Sequence, residues 1–149
     1  SLFMWRKFLG KRAKIIGVEL NPDAKKIEKK GFKIFIGDQS DPQFWKKFFK
    51  KIGKIDILID DGGHTNLQQI TTLMESIKNI NRGGMIIIED THTSYMNYKG
   101  FKNPSKNSLI NFSSNLIENL HRRNPMLKKT MNDFSKEVFK SSVTRIHTV

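Results

Sequence analysis

A chain of 149 residues, 37% hydrophobic and 28% charged, has the length and apolar content of one domain with a modest core, and residues 1–149 are read as a single domain. The absence of cysteine excludes disulfides and thiolate metal sites, so any metal must be held by oxygen or imidazole. No apolar run reaches the roughly 20 residues that span a bilayer and no charged-then-apolar leader precedes a small-residue cleavage site, so a cytoplasmic protein without membrane contact is expected.

Hydrophobic periodicity gives alternating helices and strands in the order α-β-α-β-α-β-α-β-α-α-β. Residues 1–9, with Leu2, Phe3, Trp5, Phe8 and Leu9, read as a helix, and residues 14–19 (KIIGVE) as a strand ending in an acid. Asn21 caps a helix with Pro22 at its first position, which runs to about Gly31. A short strand, residues 33–36, stops at Gly37 and Asp38. Ser40 or Asp41, followed by Pro42, starts a helix carrying Phe44, Trp45, Phe48, Phe49 and Ile52 on one face. Residues 55–60 form the third strand. Thr65 or Asn66 caps a helix with Leu67, Ile70, Leu73, Met74 and Ile77, and Arg82-Gly83-Gly84 turns the chain into a strand over residues 85–89. Residues 91–107 are polar and contain Pro104. A loop of that length beside strand ends reads as a functional lid. Helices near 105–123 and 132–140 and a terminal strand, residues 143–149, complete the prediction.

Strands alternating with helices of this length predict an α/β fold, a Rossmann-like doubly wound parallel sheet. Such a sheet normally opens with a central strand and a glycine-rich turn, whereas this chain begins inside what reads as the helix after that turn. The sheet is therefore expected to be truncated at its first strand, which would lie between residues 14–19 and 55–60. Their inner edges are then expected either to pair with each other or to be covered by a second copy, giving a homo-oligomer.

The net charge of +13 raises nucleic acid as a partner, since clustered lysines bind phosphate through counterion release. The lysines argue otherwise: Lys25, Lys26, Lys29 and Lys30, and Lys46, Lys47, Lys50 and Lys51, fall in pairs on amphipathic helices, where lysine covers the solvated face. Motifs with interleaved aromatics are missing, so nucleic acid is the disfavoured partner.

Chemistry concentrates in IDDGGHT (59–65) and GGMIIIEDTHTSY (83–95), two β-branched runs ending abruptly in carboxylates. In open α/β sheets ligands bind at the carboxyl ends of strands, so Asp61, Glu89, Asp90 and His64 can share a crevice as oxygen ligands for a divalent cation beside a general base. Strand alternation lets only one of Asp60 and Asp61 face that cation unless the chain turns between them. His64 can instead merely cap the next helix. Glu19, at the end of its strand, suits a ribose diol, or is a surface acid before a turn, and Asp38 suits an adenine amino group, or is a turn residue. His92, His121 and His147 have no comparable company, and the last two read as structural.

GDQSDPQFW (37–45), IDDGGHT and GGMIIIEDTHTSY resemble motifs of the metal-dependent sugar O-methyltransferases of the mycinamicin and tetracenomycin type, within the class I S-adenosylmethionine-dependent methyltransferases. SLFMWRKF (1–8) is similar to the helix after that family's glycine loop, which this chain does not include. The resemblance implies Mg2+ ligands at Asp61, Glu89 and Asp90, a catalytic base at His64, S-adenosylmethionine contacts at Glu19, Asp38, Gln39 and Asp60, and a glycosylated or other vicinal-diol small-molecule substrate. Without the glycine loop, cofactor binding and activity of this chain stand open. The rival readings are a catechol-type small-molecule methyltransferase, a basic nucleic-acid-binding domain without catalysis, and an inactive α/β scaffold.

Overall fold

The computed structural model describes residues 1–96 and 107–120. The lid expected over 91–107 lies mostly outside these residues, and the helix near 132–140, the strand at 143–149, His121 and His147 lie wholly outside them. The described elements are helix α1 (Leu2–Leu9), strand β1 (Ile16–Glu19), a 3-10 helix (Pro22–Lys30), β2 (Lys33–Ile36), α2 (Pro42–Ile52), β3 (Ile55–Asp60), α3 (Asn66–Ser76), a 3-10 turn (Ile77–Asn79), β4 (Ile80–Ile88), a second 3-10 turn (Thr91–Tyr95) and α4 (Leu109–Leu120).

Local chemistry fixes the boundaries. The Asn21 and Asp41 side chains accept hydrogen bonds from the backbone N–H of Asp23 (2.9 Å) and Gln43 (2.8 Å), each with proline at the next position. Thr65 and Gln68 form a reciprocal capping box at α3. Pro22–Lys30 winds as a 3-10 helix rather than the expected α-helix. Among its nine residues only Ala24 and Ile27 carry apolar side chains to hold an α-helical face, and its ion pairs, Lys25 to Glu28 (2.9 Å) and Asp23 to Lys26 (2.7 Å), are spaced by three, the repeat at which 3-10 side chains align.

Strand β4 departs most from expectation. The sequence predicts a turn at Arg82-Gly83-Gly84 before a strand at 85–89, whereas β4 already pairs at Ile80, opposite Ile55, and resumes at Met85 opposite Ile57. Residues 81–84 bulge opposite Asp56. Gly83 takes φ 82°, a Cβ on Gly84 would collide with the Asp56 carbonyl, and Asn81 Nδ2 closes the bulge on Asp56 Oδ1 at 2.8 Å.

All the strand pairs are parallel, β1 with β2 and β3 with β4. Among the described residues they are two separate two-stranded ladders, so of the two expected alternatives the direct pairing of β1 with β3 is not formed. What joins them is α2. Trp45, Phe48 and Phe49 are buried with Leu58, and Ile16, Val18 and Phe35 from one pair and Ile55, Ile80 and Ile86 from the other pack on this cluster. On the opposite face of β1–β2 a Cβ at Gly17 would meet Leu2 of α1 and the Ile34 side chain, and Phe3 of α1 meets Phe32 edge-on at 5.1 Å. Helices therefore cover both faces, the doubly wound arrangement expected. A second core of Ile70, Leu109 and Phe112 packs α3 and α4 against Ile88.

Removing Phe48, which contacts Phe35 at 4.9 Å and Trp45 at 5.4 Å between ring centroids, strikes the shared core of both strand pairs. Phe48→Ala is expected to lower unfolding free energy by about 3–5 kcal/mol, read as a lower urea midpoint. An unchanged midpoint would show that the α2 cluster does not hold the halves together.

Candidate metal and cofactor site

The parallel register brings the carboxyl ends of β3 and β4 side by side: Asp60 pairs with Ile88, and the Glu89 N–H donates to the Asp60 carbonyl at 2.9 Å. From these ends the chain leaves through two left-handed residues, His64 (φ 57°) and Asp90 (φ 51°), the only non-glycine positive φ values among the described residues. Histidine and aspartate tolerate this region better than most side chains, but at a cost. Thr93 contributes to holding both: its hydroxyl lies 2.7 Å from the His64 carbonyl and 2.9 Å from the Asp90 carbonyl, sharing its proton between them.

His64 Nε2 faces the Asp90 Oδ2 at 3.5 Å and the Asp61 Oδ1 at 3.9 Å. One ligand atom from each of Asp61, His64 and Asp90 lies within 4.8 Å of the other two. The carboxylates are about half exposed and the imidazole largely covered, with Nδ1 buried and without a hydrogen-bond partner. Two half-exposed carboxylates suit a hard divalent cation such as Mg2+ or Mn2+, with an imidazole beside them, so the residues present fit the cation and the neighbouring base that the sequence predicts.

The other expected site residues are placed differently. Glu89 is exposed and its carboxylate is not part of this group; its backbone carbonyl accepts from Gln69 Nε2 at 2.9 Å. Asp60 turns inward and is buried, as strand alternation requires for a neighbour of Asp61. Burial pushes its carboxyl above the usual range, opposed by hydrogen bonds from Gln39 and Gly62, the nearby His64, and Thr72. The Gln39 side chain is fully engaged by Asp60, Thr72 and Gly63. Asp38 Oδ1 accepts from the Ser40 N–H and hydroxyl, both at 2.7 Å, which hold its carboxyl below the usual range. This is the turn role, formed with one carboxylate oxygen. Glu19 is exposed at the end of β1, where its carbonyl accepts from Gly37 N–H at 2.9 Å. His92, left aside by the sequence reading, has Nδ1 3.7 Å from Asp90 Oδ1. Thr93, Gln69 and Thr72 were not legible as site residues; Gln69 and Thr72 belong to a buried face of α3 that is itself largely polar, with Thr71 and Ser76, so no apolar pattern sets them apart.

No protein-family model matches the chain. It is 30% identical over 122 residues to the 8-demethyl-8-alpha-L-rhamnosyl tetracenomycin-C 2'-O-methyltransferase of Streptomyces olivaceus, covering 81% of this chain and 32% of that protein. It is 33% identical over 95 residues to the mycinamicin VI 2''-O-methyltransferase of Micromonospora griseorubida, covering 64% of this chain and 23% of that protein. Among solved structures, it matches the MycE methyltransferase of mycinamycin biosynthesis in complex with Mg and SAH at TM-score 0.73 and 28% identity, over 83% of this chain and 34% of that one. A second structure of MycE, with Mg, SAH and mycinamycin VI, matches at TM-score 0.72 and 25% identity over 91% of this chain and 35% of that one. The chain thus spans about a quarter to a third of the length of the relatives it matches. The fold is that of the class I methyltransferases.

Thr93→Val keeps the shape of a buried side chain but removes the hydroxyl donor of the His64 carbonyl and leaves the Asp90 carbonyl only the Thr93 N–H, at 3.1 Å. The expected cost is about 1–3 kcal/mol, read from the urea midpoint; an unchanged midpoint would show that the two left-handed residues hold without this hydroxyl.

Proposed function

Taking its kinship with the sugar O-methyltransferases of macrolide and tetracenomycin biosynthesis as premise, we propose that the chain forms the cation- and cofactor-binding part of an S-adenosylmethionine-dependent, Mg2+-assisted O-methyltransferase acting on a hydroxyl of a glycosylated small molecule. The observation that carries the reading is the convergence of Asp61, His64 and Asp90 at the carboxyl ends of two paired parallel strands, in a chain related to enzymes that catalyse this reaction. Residues 1–149 are read as part of one methyltransferase domain, in a cytoplasmic homo-oligomer. No helix among the described residues is long and apolar enough to cross a membrane.

Asp61 and Asp90 would hold the cation, with Glu89 adjacent to Asp90 in sequence. When bound, the cation lowers the pKa of a sugar hydroxyl, which is otherwise a poor nucleophile at neutral pH. His64 Nε2 takes the hydroxyl proton as general base. Nδ1 is buried, so the open route for the proton is the Nε2 edge that faces the carboxylates. Glu19 and Asp38 follow adjacent strands, β1 and β2, and Gln39 reaches Asp60 at the end of β3, so all these strand ends lie on one edge of the fold. Glu19 and the free oxygen of Asp38 bind the polar groups of the cofactor's nucleoside there. The protein's remaining task is alignment of oxygen, methyl carbon and sulfur, since a methyl on a sulfonium leaves without help.

Calorimetric titration with S-adenosylmethionine, with and without Mg2+, is expected to show cofactor binding by this chain; absence of heat under both conditions would remove the cofactor-binding part of the proposal. In a longer protein that contains this chain and turns over, His64→Ala is expected to lower kcat by about 10²–10⁴-fold with cofactor affinity retained. Unchanged turnover would assign the proton to water instead.

A further inference from the structure

Gln39 occupies a position that no cofactor role explains. It lies three residues beyond β2, and its own carbonyl accepts the indole N–H of the buried Trp45 at 2.9 Å, so the core fixes its backbone. Its side chain crosses to the end of β3. Nε2 lies 3.0 Å and 3.2 Å from the two oxygens of buried Asp60 and 3.2 Å from Thr72 Oγ1 of α3, while Oε1 accepts the Gly63 N–H at 2.9 Å. Its partners set the orientation of the amide, because a carboxylate accepts and a backbone N–H donates. Both ends of the amide are engaged within the protein.

Sterics give a second, independent observation. A Cβ on Gly62 would collide with the Gln39 amide, and Gly62 has no left-handed φ to require glycine. A side chain at this position would have to displace the amide from Asp60 and Gly63. We infer that Gln39 is the positioning residue of the site: its side-chain amide, braced by Asp60 and Thr72, clamps the Gly62–Gly63 backbone and so places Asp61 on one side of it and His64 on the other. This rests on the reading of Asp61 and Asp90 as a cation site beside the base His64 only for its functional consequence; the clamp itself does not.

The chemistry at this position is narrow. Glutamate would bring a second carboxylate against Asp60, asparagine is one methylene too short to span the gap, and methionine fills the volume with neither donor nor acceptor. Outer groups that orient ligands typically change metal affinity by about 10–100-fold when removed.

The test uses the full chain and backbone amide exchange by NMR. In the wild type, the Gly63 amide is expected to be protected. In Gln39→Met it is expected to exchange at least about tenfold faster (about 1.4 kcal/mol of opening free energy), with the amides of Ile86, Ile87 and Ile88 unchanged. A Gly63 amide unprotected in the wild type, or equally protected in the variant, overturns the clamp, and the wild-type measurement decides even if the variant does not fold. A Mn2+ titration adds the functional readout: affinity is expected to fall about tenfold or more in Gln39→Met. Wild-type binding with equal affinity in a folded variant overturns the positioning role. A wild type that binds no Mn2+ overturns the cation reading of the previous subsection, while Gly63 exchange still decides the clamp.

Discussion

Two parallel strand pairs without a ladder between them can present one common edge only if something else fixes their separation, and here that is the aromatic face of α2. Trp45, Phe48 and Phe49 lie against Phe35 of one pair and Leu58 of the other, with Trp45 and Phe49 stacked at 5.8 Å and Phe48 edge-on to both neighbours. Each buried aromatic removes about 150–250 Å² from water, a gross gain of about 4–6 kcal/mol at the usual area coefficient, before the entropy of ordering is subtracted. The polar counterpart is at the other end of the same helix. There Trp45 also donates to Gln39, so the residue that packs the core fixes the backbone of the residue that reaches Asp60. Core and site share one anchor.

That anchor explains how adjacent aspartates come to have opposite fates. Asp60 and Asp61 leave β3 on opposite sides, and only the inward one meets hydrogen-bond donors. Burial without a full charge partner raises the Asp60 carboxyl, whereas Asp61 and Asp90 remain half exposed, where water screens their mutual repulsion. His64 stands between these two carboxylates with a backbone twisted into the left-handed region. Strain of this kind persists only where the surroundings over-determine it, and Thr93, the capping box at Thr65 and the Gly62–Gly63 turn supply that constraint.

Much of this was legible in the residues. β-Branched runs ended by acids located β3 and the carboxyl end of β4, prolines after capping residues located the two helical starts, and strand alternation separated Asp60 from Asp61. The misses have physical causes. Periodicity treats two glycines as a turn, but the bulge at 81–84 is set by the approach of Gly84 to Asp56 on another strand, a tertiary fact. A capped lysine-rich segment reads as an α-helix, but too few apolar residues hold it in that winding. Gln39 carries no motif of its own that distinguishes a clamp from a ligand contact, because the distinction depends on Thr72 and Gly63, 33 and 24 residues away.

The charge is divided along the strands. At their amino ends a concavity is bordered by Arg6, Lys11, Arg12, Lys14, Lys33 and Lys51, while Glu19, Asp38, Asp60, Asp61, Glu89 and Asp90 gather at the carboxyl ends. Lys50 and Lys51 lie in the last turn of α2, where the helix dipole favours cations, and Lys33 and Lys51 both lie over the Phe35 ring, at 5.3 Å and 5.6 Å. A β-strand of even four residues is about 13 Å long, which exceeds the roughly 8 Å screening length at physiological ionic strength. Fixed cations at one end therefore hardly oppose a divalent ion at the other. The net charge of +13 describes the surface as a whole and not the potential at the acidic edge, where the nearest fixed charges are carboxylates. Segregation by strand polarity is what allows a basic chain to keep an acidic edge.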